Sequence, residues 1–134
     1  MTAIHCHYRG DLHCTAEHLA SGVKITTDAP PDHEGRGESF APTDLLATAI
    51  GTCLLTVMGI HAQQRGWDLH GAQADVEKSM QTDGQRQIKR LRVAIALPNT
   101  LQPAQVETLK SLAQDCPVLR SLHPELQLQL DWPS

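Results

Sequence analysis

Residues 42–65 constrain this chain more than any other segment. They read Pro-Thr-Asp-Leu-Leu-Ala-Thr-Ala-Ile-Gly-Thr-Cys-Leu-Leu and onward to Arg65. Pro42 suits the first position of a helix, where its missing N–H costs nothing. Leu45, Leu46, Ala49, Cys53, Val57 and Ile60 then recur at helical spacing. Gly66 supplies a stop after Arg65. The helix is apolar and unusually small in its side chains: Ala47, Thr48, Ala49, Gly51, Thr52 and Gly59 let neighbours approach closely. Such a helix is expected near the centre of a fold rather than as a surface cover.

A chain of 134 residues is expected to form one domain over residues 1–134, within the usual ~50–200 residue range. With one Phe, one Tyr and two Trp, aliphatic residues must fill its core, and burial through a partner subunit is plausible. The net charge of −4 argues against a nucleic-acid or anionic-membrane surface. No apolar run is expected to approach the ~20 residues of a membrane span. The start, Met-Thr-Ala-Ile-His-Cys-His-Tyr, lacks a basic region followed by an apolar stretch, so no secretion signal is expected. The four cysteines are then expected as reduced thiols in a cytoplasmic setting, suited to catalysis or metal binding more than to structural bridges.

Around the helix the pattern is mainly strand. Residues 3–8 and 12–18 flank Arg9-Gly10-Asp11, a hairpin signal. A three-residue loop pairs Tyr8 with Leu12 and Cys6 with Cys14, which keeps the apolar sets on one side; a two-residue loop would part them. Residues 22–27 form a third strand. Residues 28–41, rich in Pro, Gly and charge, form a loop of a length usually kept for function. Strands are expected over 68–80 and 86–97, joined at Thr82-Asp83-Gly84, with Leu91, Val93, Ile95 and Leu97 on one face. Pro103 to Ala113 is an amphipathic helix, and a shorter helix starts near Cys116. Leu126, Leu128, Leu130 and Trp132 alternate in a last strand. The order gives an α+β fold with a mainly antiparallel sheet packed around a long buried central helix.

Two thiols stand in distinctive contexts. Cys116 opens Cys-Pro-Val-Leu-Arg-Ser-Leu at a helix start, where the dipole favours thiolate, although Asp115 opposes it. Cys53 lies about three turns into its helix and needs a nearby cation or donor to ionise. Either thiol alone is a common small core residue.

Together the two segments resemble the OsmC/Ohr family of thiol-dependent hydroperoxide reductases. Pro42, Leu45, Leu46, Ala47, Ala49, Gly51 and Cys53 match the first family motif. Arg65-Gly66-Trp67 matches the helix exit of the broader OsmC-like branch, and Cys116-Pro117-Val118 with Leu122 matches the second motif. The resemblance spans about residues 8–132. It implies an intertwined homodimer with no cofactor. It implies that Cys53 attacks an organic hydroperoxide and passes through a sulfenic acid. Cys116 would then close a disulfide that an external, lipoyl-type dithiol reduces. A helix-dipole argument alone would favour Cys116 as the more acidic thiol; the family gives the attack to Cys53.

The chain departs from the best-characterised members, which carry Glu directly after the Pro and an Arg in an earlier loop. Here Thr43 follows Pro42 and the acid comes one place later, at Asp44. Arg36 and Arg9 are the nearest arginines, and Glu38 lies beside Arg36. Arg36, Asp44, Arg9 and Glu38 are therefore candidates to activate the thiol or orient the peroxide. Plainer readings are loop charges for Arg36 and Glu38 and a first-turn acid for Asp44.

His5, His7, His13 and His18 crowd the first hairpin with Cys6 and Cys14. In the register above His7 faces His13 and Cys6 faces Cys14, on opposite sides. Ligands so divided do not converge on one ion, and no metal site is expected there. His123 reads as a helix-end residue, and His61 either lines the site or packs. The alternative to a peroxidase is a non-enzymatic member of the same fold, a redox sensor or a binder of small apolar ligands.

Overall fold

The computed structural model describes residues 1–133. Two compact units divide the chain, the first ending at Leu46 and the second beginning at Ala47. The architecture is α+β, with two three-stranded sheets and helices.

The first unit holds β1 (Ile4–Gly10), β2 (His13–His18) and β3 (Lys24–Asp28) in an antiparallel sheet of that order. The β1–β2 register departs from expectation. Tyr8 pairs with Cys14, Cys6 with Ala16 and His7 with Thr15. The turn has two residues, Asp11 and Leu12, both at positive φ (51° and 64°), the signature of a type I′ hairpin. An irregularity between Tyr8 and Gly10 inserts Arg9 as a bulge, which restores the parity that a two-residue turn would otherwise lose. The apolar sets stay on one side, but His7 does not face His13, nor Cys6 Cys14.

After β3 the chain runs through a short 3₁₀ turn (Pro31–His33). It returns to make a parallel bridge between Thr27 and Phe40. The loop is folded against the end of β3 by the carboxylate of Asp28, whose Oδ2 accepts the N–H groups of Arg36 (3.3 Å) and Glu38 (3.0 Å). Gly35 lies so close to the carbonyl of Ala29 that no Cβ fits there.

Helix α1 (Pro42–Arg65) begins and ends where the sequence predicts. Asp44 Oδ2 accepts the N–H of Ala41 (2.8 Å), satisfying a donor that the helix start leaves open. At the other end Gly66 takes φ 71°, and the Trp67 N–H closes back onto Ala62 O (2.9 Å), a left-handed helix stop.

In the second unit β4 (Gln73–Met80) pairs antiparallel with β5 (Ile88–Ala96). β6 (Gln127–Asp131) pairs parallel with β5. β4 starts later than residue 68. Residues 68–72 instead form turns, with the His70 N–H donated to Asp68 Oδ1 (2.9 Å) and the Ala72 N–H to Leu69 O (3.0 Å). Helices α2 (Pro103–Ala113) and α3 (Pro117–Arg120) follow β5.

Ala47, Ile50, Leu54, Met58 and Ala62 of α1 are buried with Leu91, Val93, Ile95, Leu109, Ala113 and Cys116. This corrects the expected helix face. The stripe through Leu46, Ala49, Cys53, Val57 and Ile60 is half-buried or exposed in this chain. α1 is apolar nearly all round, so periodicity does not single out the face. Length and composition alone would let α1 cross a membrane, yet Ile50, Leu54 and Met58 are committed to a protein core.

Candidate active site

Helix α1 brings Cys53 to the edge of the second unit's core, and the α2–α3 junction brings Cys116 to meet it. Their sulfur atoms lie 2.7 Å apart. Cys116 is fully buried, at 0% exposure, whereas Cys53 is half-buried. Both are free thiols. A small molecule therefore meets Cys53 before it meets Cys116.

Cys116 is the residue before the first turn of α3, with extended backbone (φ −96°, ψ 119°), as a residue preceding proline should be. Its carbonyl accepts the Arg120 N–H (3.2 Å). Pro117 takes the first helical position, so the next N–H, that of Val118, has no partner within the helix. That N–H is directed at Cys53. The donor expected to serve Cys116 thus serves its neighbour. Asp115, expected to oppose ionisation, is ion-paired with Arg120.

Burial pushes the Cys53 thiol above its ordinary value, and contact with Cys116 adds to this; the Val118 N–H pulls the other way. The raising effects are the larger, so Cys53 is mainly a neutral thiol at neutral pH.

The four charged candidates all belong to the first unit, and each has partners there. Arg9 Nε donates to Thr15 Oγ1 (3.1 Å). Arg36 is 72% exposed along its side chain, with Nη1 3.9 Å from Glu38 Oε1. Glu38 Oε1 lies 3.1 Å from His13 Nε2. Asp44 caps α1. His61 receives Arg65, whose Nη1 reaches Nδ1 (3.4 Å) and donates to the His61 carbonyl (3.0 Å). The Arg65 guanidinium also lies over Trp67 at 5.7 Å. His123 Nδ1 accepts the Glu125 N–H (3.1 Å), as a chain-turning residue. Val118 enters the sequence reading only as part of the second motif, not as a donor to Cys53, although proline at the first helical position marks the following N–H as available. Asp28 was also missed: an acid that ends a strand before Ala-Pro-Pro looks like a solvated turn, and here it is buried.

Comparison with known proteins matches residues 35–131 to the model for OsmC-like proteins. A crystal structure from Psychrobacter arcticus 273-4, of a protein provisionally named for osmotic stress induction and detoxification response, is 38% identical. It superposes with a TM-score of 0.92 over 99% of this chain and 96% of that one. An organic hydroperoxide resistance protein OsmC from Legionella pneumophila matches at 17% identity and a TM-score of 0.78, over 100% and 97% of the two chains. An OsmC-like protein from Mycoplasma pneumoniae matches at 18% and 0.81, over 99% and 96%. The last two likenesses speak to the fold alone. No curated protein sequence matches.

Proposed function

The chain belongs to the OsmC-like protein family, and we propose that it reduces organic hydroperoxides through Cys53 and Cys116. The observation that carries this is the 2.7 Å approach of a reachable thiol to a buried one. The Cys53 thiolate attacks one peroxide oxygen, the O–O bond breaks, and the alkoxide leaves as an alcohol after taking a proton. Cys53 is left as a sulfenic acid. The Cys116 thiol displaces water from it, closing a disulfide. An external dithiol, of lipoyl type, then reduces that disulfide and is itself oxidised.

Of the candidates, Arg36 is the proposed peroxide-orienting cation: its guanidinium is exposed, and its Nη1 stands 3.9 Å from Glu38 Oε1. Arg9 is already bonded to Thr15, and Asp44 is accounted for by the helix start.

A homodimer is part of the same proposal. Ile4, Tyr8, Leu12, Leu19, Val23 and Ile25, all in the first unit, are exposed, large apolar side chains that a second copy would cover.

The test is turnover of cumene hydroperoxide with dihydrolipoamide as reductant. Wild type should consume peroxide continuously, and Cys53→Ser should not. Turnover by Cys53→Ser at the wild-type rate sinks the reading. A second reading, a redox sensor that closes the same disulfide without sustained turnover, draws on the raised pKa of Cys53, which slows attack at neutral pH. A single equivalent of peroxide consumed, with no recycling by any dithiol, selects the sensor.

A further inference from the structure

The first unit contains a second cluster of reactive side chains that the peroxide chemistry does not use. His13 Nε2 lies 3.1 Å from Glu38 Oε1 and 3.5 Å from Asp28 Oδ2. One ligand atom from each of the three residues falls within 4.8 Å of the others. Their origins differ: His13 opens β2, Asp28 ends β3, and Glu38 comes from the returning loop. The antiparallel register sets His13 opposite Asp28.

The imidazole has its tautomer fixed. His13 Nδ1 lies 2.7 Å from the carbonyl oxygen of Asp11. A carbonyl can only accept, so Nδ1 carries a proton and donates it. In the neutral ring Nε2 is then a lone pair, and it points at two carboxylate oxygens. Three electron-rich atoms at such distances need either a proton on Nε2 or a metal cation among them. This is also the usual outer arrangement of a metal-binding histidine, whose second nitrogen is anchored on a backbone carbonyl.

A separate observation points the same way. Asp28 is 1% exposed, and its Oδ1 has no hydrogen-bond partner among the described residues. Its Oδ2 already holds the N–H groups of Arg36 and Glu38. A buried carboxylate oxygen without a donor is rare, and an unseen ion is one of its ordinary explanations. The Arg36 guanidinium places Nη1 3.9 Å from Glu38 Oε1, with its side chain 72% exposed.

We propose that His13, Asp28 and Glu38 form a binding site for a divalent transition-metal ion of the zinc type. Ions bound at about 2.0–2.2 Å by nitrogen and oxygen in a tetrahedral site hold adjacent ligands about 3.4 Å apart. Two of the three separations, 3.1 and 3.5 Å, fit that spacing, and the third lies within 4.8 Å. Imidazole with two carboxylates favours zinc, cobalt or manganese over magnesium or calcium, which take oxygen alone. Three protein ligands leave a position for water. Glu38 is 54% exposed along its side chain, so an ion can enter from its side. The metal would tie the loop after β3 to the first hairpin. The cluster stands apart from the thiol reading and does not depend on it.

The test uses Co²⁺ as a spectroscopic probe on full-length protein first stripped with a chelator. One equivalent of Co²⁺ should give weak visible d–d bands without the intense near-ultraviolet band of a cobalt thiolate. Those bands should vanish in both His13→Ala and Glu38→Gln and persist in the Cys53→Ser/Cys116→Ser double variant. Zn²⁺ should displace Co²⁺ at one equivalent and should raise the melting temperature of wild type but not of Glu38→Gln. Far-ultraviolet circular dichroism checks that the variants fold; Glu38→Gln, changed at a half-exposed side chain, keeps the test open if His13→Ala does not. Absence of stoichiometric Co²⁺ bands in wild type overturns the proposal. So does their survival in Glu38→Gln, or a thiolate band that accounts for all the bound cobalt. An imidazole that carries both protons at neutral pH in the presence of excess Zn²⁺, read from its ¹⁵N shifts, also overturns it: a proton then does the work assigned to the ion.

Discussion

Cys116 is sealed in the core with its sulfur 2.7 Å from that of Cys53, which stands half-open 63 positions earlier in the chain. On the proposed chemistry this asymmetry gives the pair an order: an oxidant would reach the outer thiol first, and the inner thiol would meet the product. One equivalent of organic hydroperoxide should therefore remove two titratable thiols from wild type. In Cys116→Ser the sulfenic acid should persist and be trapped by dimedone on Cys53. Dimedone on Cys116 in a Cys53→Ser protein, at a comparable rate, would reverse the order.

Burial raises the Cys53 pKa above the usual thiol value of 9.0, which fixes the sign of a pH dependence. The thiolate is the reactive form, so its fraction is small at neutral pH and grows about tenfold per pH unit until the raised pKa is reached. Iodoacetamide alkylation of Cys53, and kcat/KM for the peroxide, should both climb from pH 6 to pH 9 without levelling. A plateau below pH 8 would mean that a cation overrides burial at this thiol. Arg36→Gln separates the cases: it should lower kcat/KM while leaving the alkylation profile in place.

The span of α1 was legible because Pro42 and Gly66 mark its ends by backbone chemistry, independent of anything distant. Its buried face was not. Apolar residues lie on every side of α1, and only packing with Leu91, Val93 and Leu109 selects Ile50, Leu54 and Met58. The hairpin register failed for a related reason. Sequence alternation fixes parity, and the Arg9 bulge changes the pairing by two residues while keeping parity. The thiol pair was legible only through its flanking motifs. The Val118 N–H and the burial of Asp28 arise from contacts across long separations, to which local pattern is blind.

Gly51 tests how tightly α1 meets β4. A Cβ on Gly51 would stand 2.8 Å from Val76 Cγ2, closer than carbon atoms tolerate, and a β-branched neighbour has little freedom to turn away. Gly51→Ala gains about 1 kcal/mol of helix propensity but should lose about 1–3 kcal/mol to overpacking. Urea unfolding should show net destabilisation, and the same substitution in a Val76→Ala background should become stabilising. Equal effects in the two backgrounds would show that the contact is not limiting.

Leu54 has no exposure and lies in the same cluster as Leu109 and Cys116. Leu54→Ala should cost about 2–5 kcal/mol through lost burial and the cavity left behind. Because the cavity opens one residue from Cys53, Cys116 should also become more accessible. Its labelling by a neutral maleimide in Cys53→Ser should accelerate when Leu54→Ala is added. Unchanged labelling would show that the pocket collapses instead.

Asp131 and Arg92 join β6 to β5 at a strand boundary. Arg92 Nε donates to Asp131 Oδ2 (2.6 Å), and Gln129 Nε2 donates to Asp131 Oδ1 (3.0 Å). The Gln129 contact first, and then Arg92, lower the Asp131 pKa below its ordinary 3.8. A carboxylate lowered in the folded state binds fewer protons there than in the unfolded chain. Its stabilisation is therefore present above pH 3.8 and fades as pH falls through the lowered folded value. The melting temperature of wild type minus that of Asp131→Asn should be positive and level from pH 5 to 7, then shrink in the acid range. Added salt should reduce the difference only in part, since Arg92 is about half exposed while the hydrogen bond from neutral Gln129 is not screened. A difference that grows on acidification would contradict the assignment. A difference of zero throughout would place the hold on β6 in its backbone ladder alone.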